Sequence, residues 1–162
     1  MRTNLFGTFH VVVLAKPLAM LYPFDKYYHE ASRFVKSLAI RLGTPGDPEH
    51  AIRVLRCVFG VLRRRIVPDE SLQVVSKLPL ILKGIYVDGW NIYEPLSEAN
   101  TLDEFLFEIR SSSQRNAYLD FVNDELAKKK IVTVVNALDQ FVYDGELNDI
   151  LHNLSREASE MV

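Results

Sequence analysis

From Phe24 onward, apolar residues recur at steps of three and four, the spacing that gives an α-helix one apolar face. The first helix is predicted to end at Gly43 in a left-handed cap. Asp47 and Pro48 are typical of a helix start, the acid as a capping side chain and the proline where no amide partner is needed. The predicted inward residues of the first helix are Phe24, Tyr27, Tyr28, Ala31, Phe34, Val35, Leu38 and Leu42. Those of the second, which ends near Arg65, are Ala51, Leu55, Val58 and Leu62.

Two shorter helices are predicted before residue 90. Val67-Pro68-Asp69-Glu70 begins the first of them, because acidic residues suit the positive end of a helix. Pro79 breaks or restarts it, and a short helix from Pro79 to about Tyr86 leads into an Asp88-Gly89 turn. Residues 91–100 are polar, contain a proline and are predicted to form a linker.

The second part of the chain is also helical in pattern. Thr101-Leu102-Asp103-Glu104 is a capping box, in which Thr101 and Glu104 satisfy each other's exposed amides. A long helix is predicted from about Ala117 to Val142, with any kink at Lys128–Lys130, and Asp144-Gly145 is predicted to start the last helix. The predicted inward residues of the long helix are Leu119, Val122, Leu126, Ile131, Val134, Leu138 and Val142.

An internal repeat is predicted at a shift of 76 residues. With this shift, Leu62, Ile66, Val75 and Leu78 align with Leu138, Val142, Leu151 and Leu154. Matched apolar positions are what two fused helical units need in order to bury a joint core. We therefore expect one compact all-α bundle of about seven helices, built from two related three- to four-helix repeats. The repeats are placed at residues 24–90 and 101–160, joined by the linker at 91–100 and preceded by an apolar extension at 1–23.

Composition fits a globular protein and gives no overall attraction to nucleic acid or to an acidic membrane. Of 162 residues, 48% are hydrophobic and 25% are charged, and the formal net charge is −2. Residues 24–90 carry 11 Lys/Arg against 7 Asp/Glu, whereas residues 91–162 carry 6 against 14. Such halves can pair with each other as readily as with a partner. The single cysteine, Cys57, excludes an internal disulfide and a Cys-based metal cluster.

Four segments of the chain occur in an order that is specific to one family. They are FDKYYHEASRFVKSLAIRLG, AIRVLRCVFGVLRRRIVPDES, SKLPLILKGIYVDGW, and the stretch from LDEFLFEI through VYDGELNDIL. In this combination, over about residues 24–157, the chain resembles the bacterial family called domain of unknown function 2267. It departs from that family at Lys83, where members often have arginine, and at Leu154-Ser155, where they often have Leu-Pro. The resemblance implies a small, all-helical, cytoplasmic protein, and it implies no catalytic residue.

The first twenty residues differ from the rest, since they are apolar and carry only Arg2 and Lys16 as charges. Three interpretations stay open: an extension upstream of a true start at Met20, a native arm or short strand packed on the domain, and a signal peptide or membrane anchor. A membrane-spanning helix is not favoured, because His10, Lys16 and Pro17 interrupt the apolar run.

The sequence contains no familiar catalytic or metal-binding motif. The four histidines have no partner at helical ligand spacing, and the seven glycines do not form a phosphate-binding loop. Cys57 lies beside the apolar stripe of its helix, where we expect a packing residue and not a reactive thiol. The acids Asp69-Glu70 and Asp103-Glu104 stand at helix starts, where capping accounts for them. We therefore expect no catalytic residue, no metal and no cofactor.

The first candidate site is a basic ridge on the second helix and the elements after it. On a helix, Arg53, Arg56 and Arg64 lie near one another, on the side opposite the Leu55–Leu62 stripe. The ridge would dock an acidic partner, phosphate-containing ligands included; the favoured alternative is a solvated face or ion pairs with the acidic second half. Nucleic acid is not favoured, because stacking aromatic residues are not interleaved. The candidate residues are Arg53, Arg56, Arg63, Arg64, Arg65, Lys77 and Lys83.

The second candidate site is a groove around the Asp-Gly turn. Gly84 is predicted to allow close backbone approach within an apolar helix. Aromatic residues around a turn are suited to line a groove for a peptide or a small ligand. The favoured alternative is that Trp90, the only tryptophan, folds back to plug the seam between the two repeats. The candidate residues are Gly84, Tyr86, Asp88 and Trp90.

These observations predict a non-enzymatic helical module of the cytoplasm that binds a protein partner or itself. An alternative from another class is a binder of small anionic ligands, or a cryptic enzyme, that uses Arg63–Arg65, Lys83 and the Tyr86–Trp90 groove. A third is an envelope-associated protein that uses residues 1–20. Nucleic acid and membrane are not expected as partners.

Overall fold

The computed structural model describes residues 23–112 and 117–160, and in that part of the chain all regular secondary structure is helical. The segments are α1 (Asp25–Arg41), α2 (Pro48–Arg65), α3 (Pro68–Lys77), α4 (Leu80–Val87), α5 (Leu102–Ser111), α6 (Ala117–Asp120), α7 (Asp124–Leu138) and α8 (Glu146–Glu160). The predicted all-α bundle is confirmed. None of these helices is both long enough and apolar enough to span a membrane. The predictions for residues 1–20 lie outside the described residues.

The central element of the bundle is α2, which contacts α1, α4, α5, α6 and α7. One side of it is completely buried, through Ala51, Val54, Leu55, Val58 and Leu62. Apolar residues from both sides of the linker belong to the same core cluster. A shared core is what two fused repeats would need, and the repeat itself stays a prediction.

Local capping signals begin and end the helices where the sequence predicts. Gly43 has φ +76°, and its own amide and the next one donate back to the last turn of α1 at 3.0 and 2.9 Å. Asp47 caps α2 by accepting a hydrogen bond from His50 N at 2.8 Å. Thr101 and Glu104 form both hydrogen bonds of the capping box at the start of α5.

The inward face of α1 is shorter than predicted. Ala31, Phe34, Val35 and Leu38 are buried, and Leu42 packs partly against the core. Three earlier residues that were predicted to point inward are 36–70% exposed: Phe24, Tyr27 and Tyr28.

The long helix predicted from Ala117 to Val142 is wrong. The chain makes one helical turn, α6, and then breaks before α7. Asn123 caps α7 by accepting a hydrogen bond from Leu126 N at 2.9 Å. Lys128–Lys130, where a kink was predicted, lie within α7, which ends at Leu138.

The break between α6 and α7 is held by Arg110 of α5. Its guanidinium donates to the carbonyl oxygens of Phe121 and Val122 at 2.8 and 2.9 Å, which a continuous helix would use for amides four residues later. The side chain of Phe121, at this break, is completely buried. Three residues predicted to point inward are instead 59–73% exposed: Leu119, Val122 and Leu126. The later inward residues are buried as predicted: Ile131, Val134, Leu138 and Val142.

Candidate functional site

Three cations of the basic ridge form ion pairs with carboxylates in the second half of the chain. The pairs are Arg53–Asp120, Arg64–Glu108 and Lys77–Asp144. Arg53 makes a two-point contact, with Nε 3.0 Å from Asp120 Oδ2 and Nη2 3.4 Å from Oδ1. This hydrogen bonding raises the pKa of Arg53. Pairing with the acidic second half was the interpretation favoured for the ridge from the sequence.

Three other ridge residues contact the first half or the linker. Arg56 pairs with Asp88, and both side chains are about half exposed. Lys83 Nζ donates to the carbonyl of Ser76 at 3.2 Å. Arg65 donates to two acceptors in the linker, at 2.6 and 2.7 Å. The ridge residues are thus distributed over several elements and do not converge on one point.

Arg63 differs from the rest of the ridge because its side chain is buried, with 8% of the residue exposed. Its guanidinium donates to the carbonyl oxygens of Tyr86, Asp88 and Gly89 at 2.8, 3.0 and 3.3 Å. A cation at this place satisfies carbonyls at the end of α4 and complements the negative end of its dipole. Burial lowers the pKa of Arg63, and its Nε has no hydrogen-bond partner among the described residues. Arg63 therefore positions α4 and does not present its charge to solvent.

The second candidate site is largely filled by its own aromatic side chains. Tyr86 is completely buried, its hydroxyl lies 3.1 Å from Ser71 Oγ, and its ring meets Phe59 edge-on at 5.0 Å. Trp90 is half-buried and packs edge-on against Tyr86 at 6.1 Å. Burial raises the pKa of Tyr86 to about 12. These aromatic contacts join residues within 24–90, and the plugging of a seam between the repeats by Trp90 stays a prediction.

In the part of the chain that the structure describes, one side of α4 is apolar and partly exposed. Leu82 and Tyr86 are completely buried on the inner side. At 3.6 residues per turn, Gly84 lies opposite them, at the centre of the exposed side. No described residue approaches Gly84 closely, since a Cβ there would have no atom within 4 Å, so the close backbone approach stays a prediction. We call this exposed surface the α4 outer face; it consists of Leu80, Ile81, Gly84 and Val87.

A cleft of about 370 Å³ joins parts of both candidate sites, between α2 and the turn after α4. Charged residues of both signs line it: Arg63, Arg64, Asp88 and Glu94. Arg63 is engaged by the carbonyls of α4, and Arg64 Nη2 lies 2.9 Å from Glu108 Oε2. The cleft therefore has mixed charge and does not favour an anion.

Sequence reasoning missed a polar cluster centred on His50, which is 6% exposed. His50 Nδ1 lies 2.9 Å from Thr44 Oγ1, and Nε2 lies 3.3 Å from Lys130 Nζ and 3.5 Å from Asp120 Oδ1. Burial, followed by the charge of Lys130, lowers the pKa of His50. The members of the cluster come from α2 and the loop before it, from α6 and from α7, so no local spacing could have signalled the whole cluster.

Cys57 is buried, and this burial raises the pKa of its thiol to about 11. The thiol is therefore protonated at neutral pH, as suits a packing residue. Among the described residues, no three His, Cys, Asp or Glu side chains are placed to hold a metal ion.

Comparison with known proteins identifies a family and no activity. The family model described as "Uncharacterized conserved protein (DUF2267)" matches residues 31–161. The match covers most of the predicted span of about 24–157 and begins inside α1. No curated protein matches the chain.

Proposed function

Because the chain belongs to the DUF2267 family, whose description names no activity, we propose a function from geometry: a non-enzymatic module that self-associates through the α4 outer face. A helix that is apolar all round is normally buried on every side. In α4 the only charged residue is Lys83, yet the bundle completely buries only Leu82 and Tyr86. Leu80, Ile81 and Val87 stay 38–48% exposed. This unmatched apolar surface is the observation that carries the proposal.

The bundle fixes the orientation in which α4 presents this surface. Arg63 holds three carbonyls at the carboxyl end of the helix, and the hydroxyl of Tyr86 pairs with Ser71. Rotating α4 to bury its outer face would break these contacts and leave the guanidinium of Arg63 buried without acceptors. Such a loss costs about 1–3 kcal/mol for each unsatisfied group. The α4 outer face is therefore held at the surface of the molecule.

A second copy of the chain is the occupant that fits this face best. A two-fold interface joins the same patch on both molecules. The α4 outer face suits that arrangement, with apolar side chains one turn before and one turn after the central Gly84. Two glycines at the crossing point let the helices approach closely. The four residues of the face carry no charge, and a net charge of −2 gives little overall repulsion between copies.

The dimer is expected to be weak. Stable interfaces cover about 800 Å² on each partner, more than four residues of a short helix supply. We therefore expect a dissociation constant of about 1 μM or weaker, so that the fraction of dimer depends on protein concentration.

The test is sedimentation velocity over a concentration series with the wild type and Leu80→Glu/Val87→Glu. The double variant places charges on both sides of Gly84, so dimerisation should weaken by more than about tenfold. Leu126→Glu is the matched control, because Leu126 is 59% exposed on a different helix. That control should dimerise like the wild type.

Three outcomes would contradict the proposal. One is a wild type that stays monomeric at concentrations well above those in cells. Another is a dimer that Leu80→Glu/Val87→Glu leaves intact, which would place the interface elsewhere. A different protein that crosslinks to α4 in place of a second copy would also overturn self-association.

The alternative of a small-anion binder has less support, because the ridge cations contact carboxylates or carbonyls of the chain itself. A cytoplasmic location is supported by the single cysteine, which excludes an internal disulfide.

A further inference from the structure

The single turn α6 is tied to the bundle through Asp120. The Asp120 carboxylate accepts a hydrogen bond from Arg53 of α2, and its Oδ1 lies 3.5 Å from His50 Nε2. Lys130 of α7 donates to the main-chain carbonyl of Asp120 at 2.5 Å and lies 3.3 Å from the same His50 nitrogen. Three elements therefore meet at one buried imidazole.

The contacts of His50 with Thr44 and Lys130 fit its neutral form. An ammonium group can only donate, so His50 Nε2 must accept from Lys130. The ring proton is then on Nδ1, which donates to Thr44 Oγ1 at 2.9 Å. A second proton would enter at Nε2, which lies 3.3 Å from the ammonium nitrogen of Lys130 and 3.5 Å from Asp120 Oδ1. Protonation would therefore place a positive charge beside Lys130 and remove the acceptor of its hydrogen bond, and the Asp120 carboxylate opposes this only in part.

We propose that His50 is an acid-sensitive latch, and that its protonation releases the α6 turn from α2 and α7. The charged groups that act on His50 are Asp47 and Arg53 from α2 and its cap, Asp120 from α6, and Lys130 from α7. When His50 is protonated, the cluster holds three cations, with Arg53 and Lys130, and only the two carboxylates of Asp47 and Asp120. Because Arg53 already shares the carboxylate of Asp120, the added charge is not neutralised. This latch is independent of the α4 outer face.

The direction of the pH effect follows from linkage. Burial and Lys130 lower the pKa of His50 in the closed state, whereas in the open state it returns to its ordinary value of 6.5. The open state therefore binds the proton more tightly, and opening becomes easier as the pH falls below 6.5. The opening constant stops rising once the pH falls below the pKa that His50 has in the closed state. Between pH 7.5 and 5.5 the opening constant can rise by at most about tenfold.

The experiment is hydrogen exchange of the full chain at pH 7.5 and 5.5, corrected for the intrinsic exchange rate. Amides of α6 and the first turn of α7 should open several-fold more often at pH 5.5, whereas amides in the middle of α8 should not change. In His50→Gln the side-chain carbonyl still accepts from Lys130 but does not titrate, so the acid response should disappear. His152→Gln, at an exposed histidine of α8, is the matched control and should keep the response.

A measurement on the wild type alone keeps the latch testable if His50→Gln fails to fold. Nitrogen-15 chemical shifts of the imidazole at pH 7.5 should show the proton of His50 on Nδ1. A proton on Nε2 would overturn the proposal. So would equal protection of α6 at the two pH values, or a full acid response in folded His50→Gln.

Discussion

At the scale of single residues, two glycines have opposite roles. Gly84 lies within α4 at ordinary helical angles, and a Cβ there would have no described atom within 4 Å. Gly145 has φ +84°, and a Cβ there would lie 2.8 Å from Glu70 Oε1. The carboxylate of Glu70 accepts the amide hydrogen bond of Glu146 and so caps α8. Only the second glycine is required by the monomeric fold.

Alanine substitution should separate these roles. Gly84→Ala should raise the free energy of unfolding by about 0.5–1 kcal/mol, because alanine favours the helix and meets no neighbour. Gly145→Ala should lower it by about 1–3 kcal/mol, because of its left-handed backbone and the contact with Glu70. Urea unfolding, at protein concentrations too low for dimerisation, measures both free energies. Loss of stability in Gly84→Ala would show that the outer side of α4 is covered within the monomer.

At the scale of helices, the sequence predicts those helix ends that are fixed by residues close to them in the chain. The ends of α1 and the starts of α2 and α5 depend on caps within a few residues, and all three are where the sequence places them. The break after Asp120 depends on Arg110, which reaches across from another helix. A periodic pattern carries no information about such a contact, so it predicted one long helix from Ala117 to Val142.

The break between α6 and α7 should be sensitive to Arg110. Arg110→Met leaves the carbonyls of Phe121 and Val122 without their donor and should lower the free energy of unfolding by about 2 kcal/mol. Asn123→Ala removes only the cap of α7 and should cost about 1 kcal/mol. Arg156→Met, at an exposed arginine of α8, is the control and should change stability by less than about 0.5 kcal/mol. Thermal and urea unfolding give the order, and an Arg110 effect as small as the control would refute this account of the break.

The sequence identified the residue types of the candidate sites but not the individual partners of each side chain. Arg53 was identifiable as a cation on the side of α2 opposite its apolar stripe, and Arg63 as a further ridge residue, but their acceptors are 67 and 23 residues away. The exposure of the α4 outer face could not be predicted for a different reason. Since α4 is apolar all round, periodicity could not choose which side the core would cover. Only the packing of Leu82 and Tyr86 decides this.

At the scale of the whole molecule, the two predicted repeats share one interior. Core residues before and after the linker form a single cluster, and α2 contacts α5, α6 and α7 across it. Ion pairs such as Arg53–Asp120 and Arg64–Glu108 also join the two parts. Neither part would retain its buried surface alone, so we expect the chain to unfold as one cooperative unit.

Trp90 makes this cooperativity measurable, because the only tryptophan lies in the first predicted repeat and packs on Tyr86. Its fluorescence reports that part, while far-ultraviolet circular dichroism reports all helices. The two urea transitions should coincide. Leu154→Ala, at a completely buried position of α8, should lower the free energy of unfolding by about 2–5 kcal/mol and move both midpoints together. The exposed-site control Leu119→Ala should move neither by more than about 0.5 kcal/mol. A Trp90 transition that keeps its midpoint in Leu154→Ala would mean that residues 24–90 fold without the second repeat, despite the shared core.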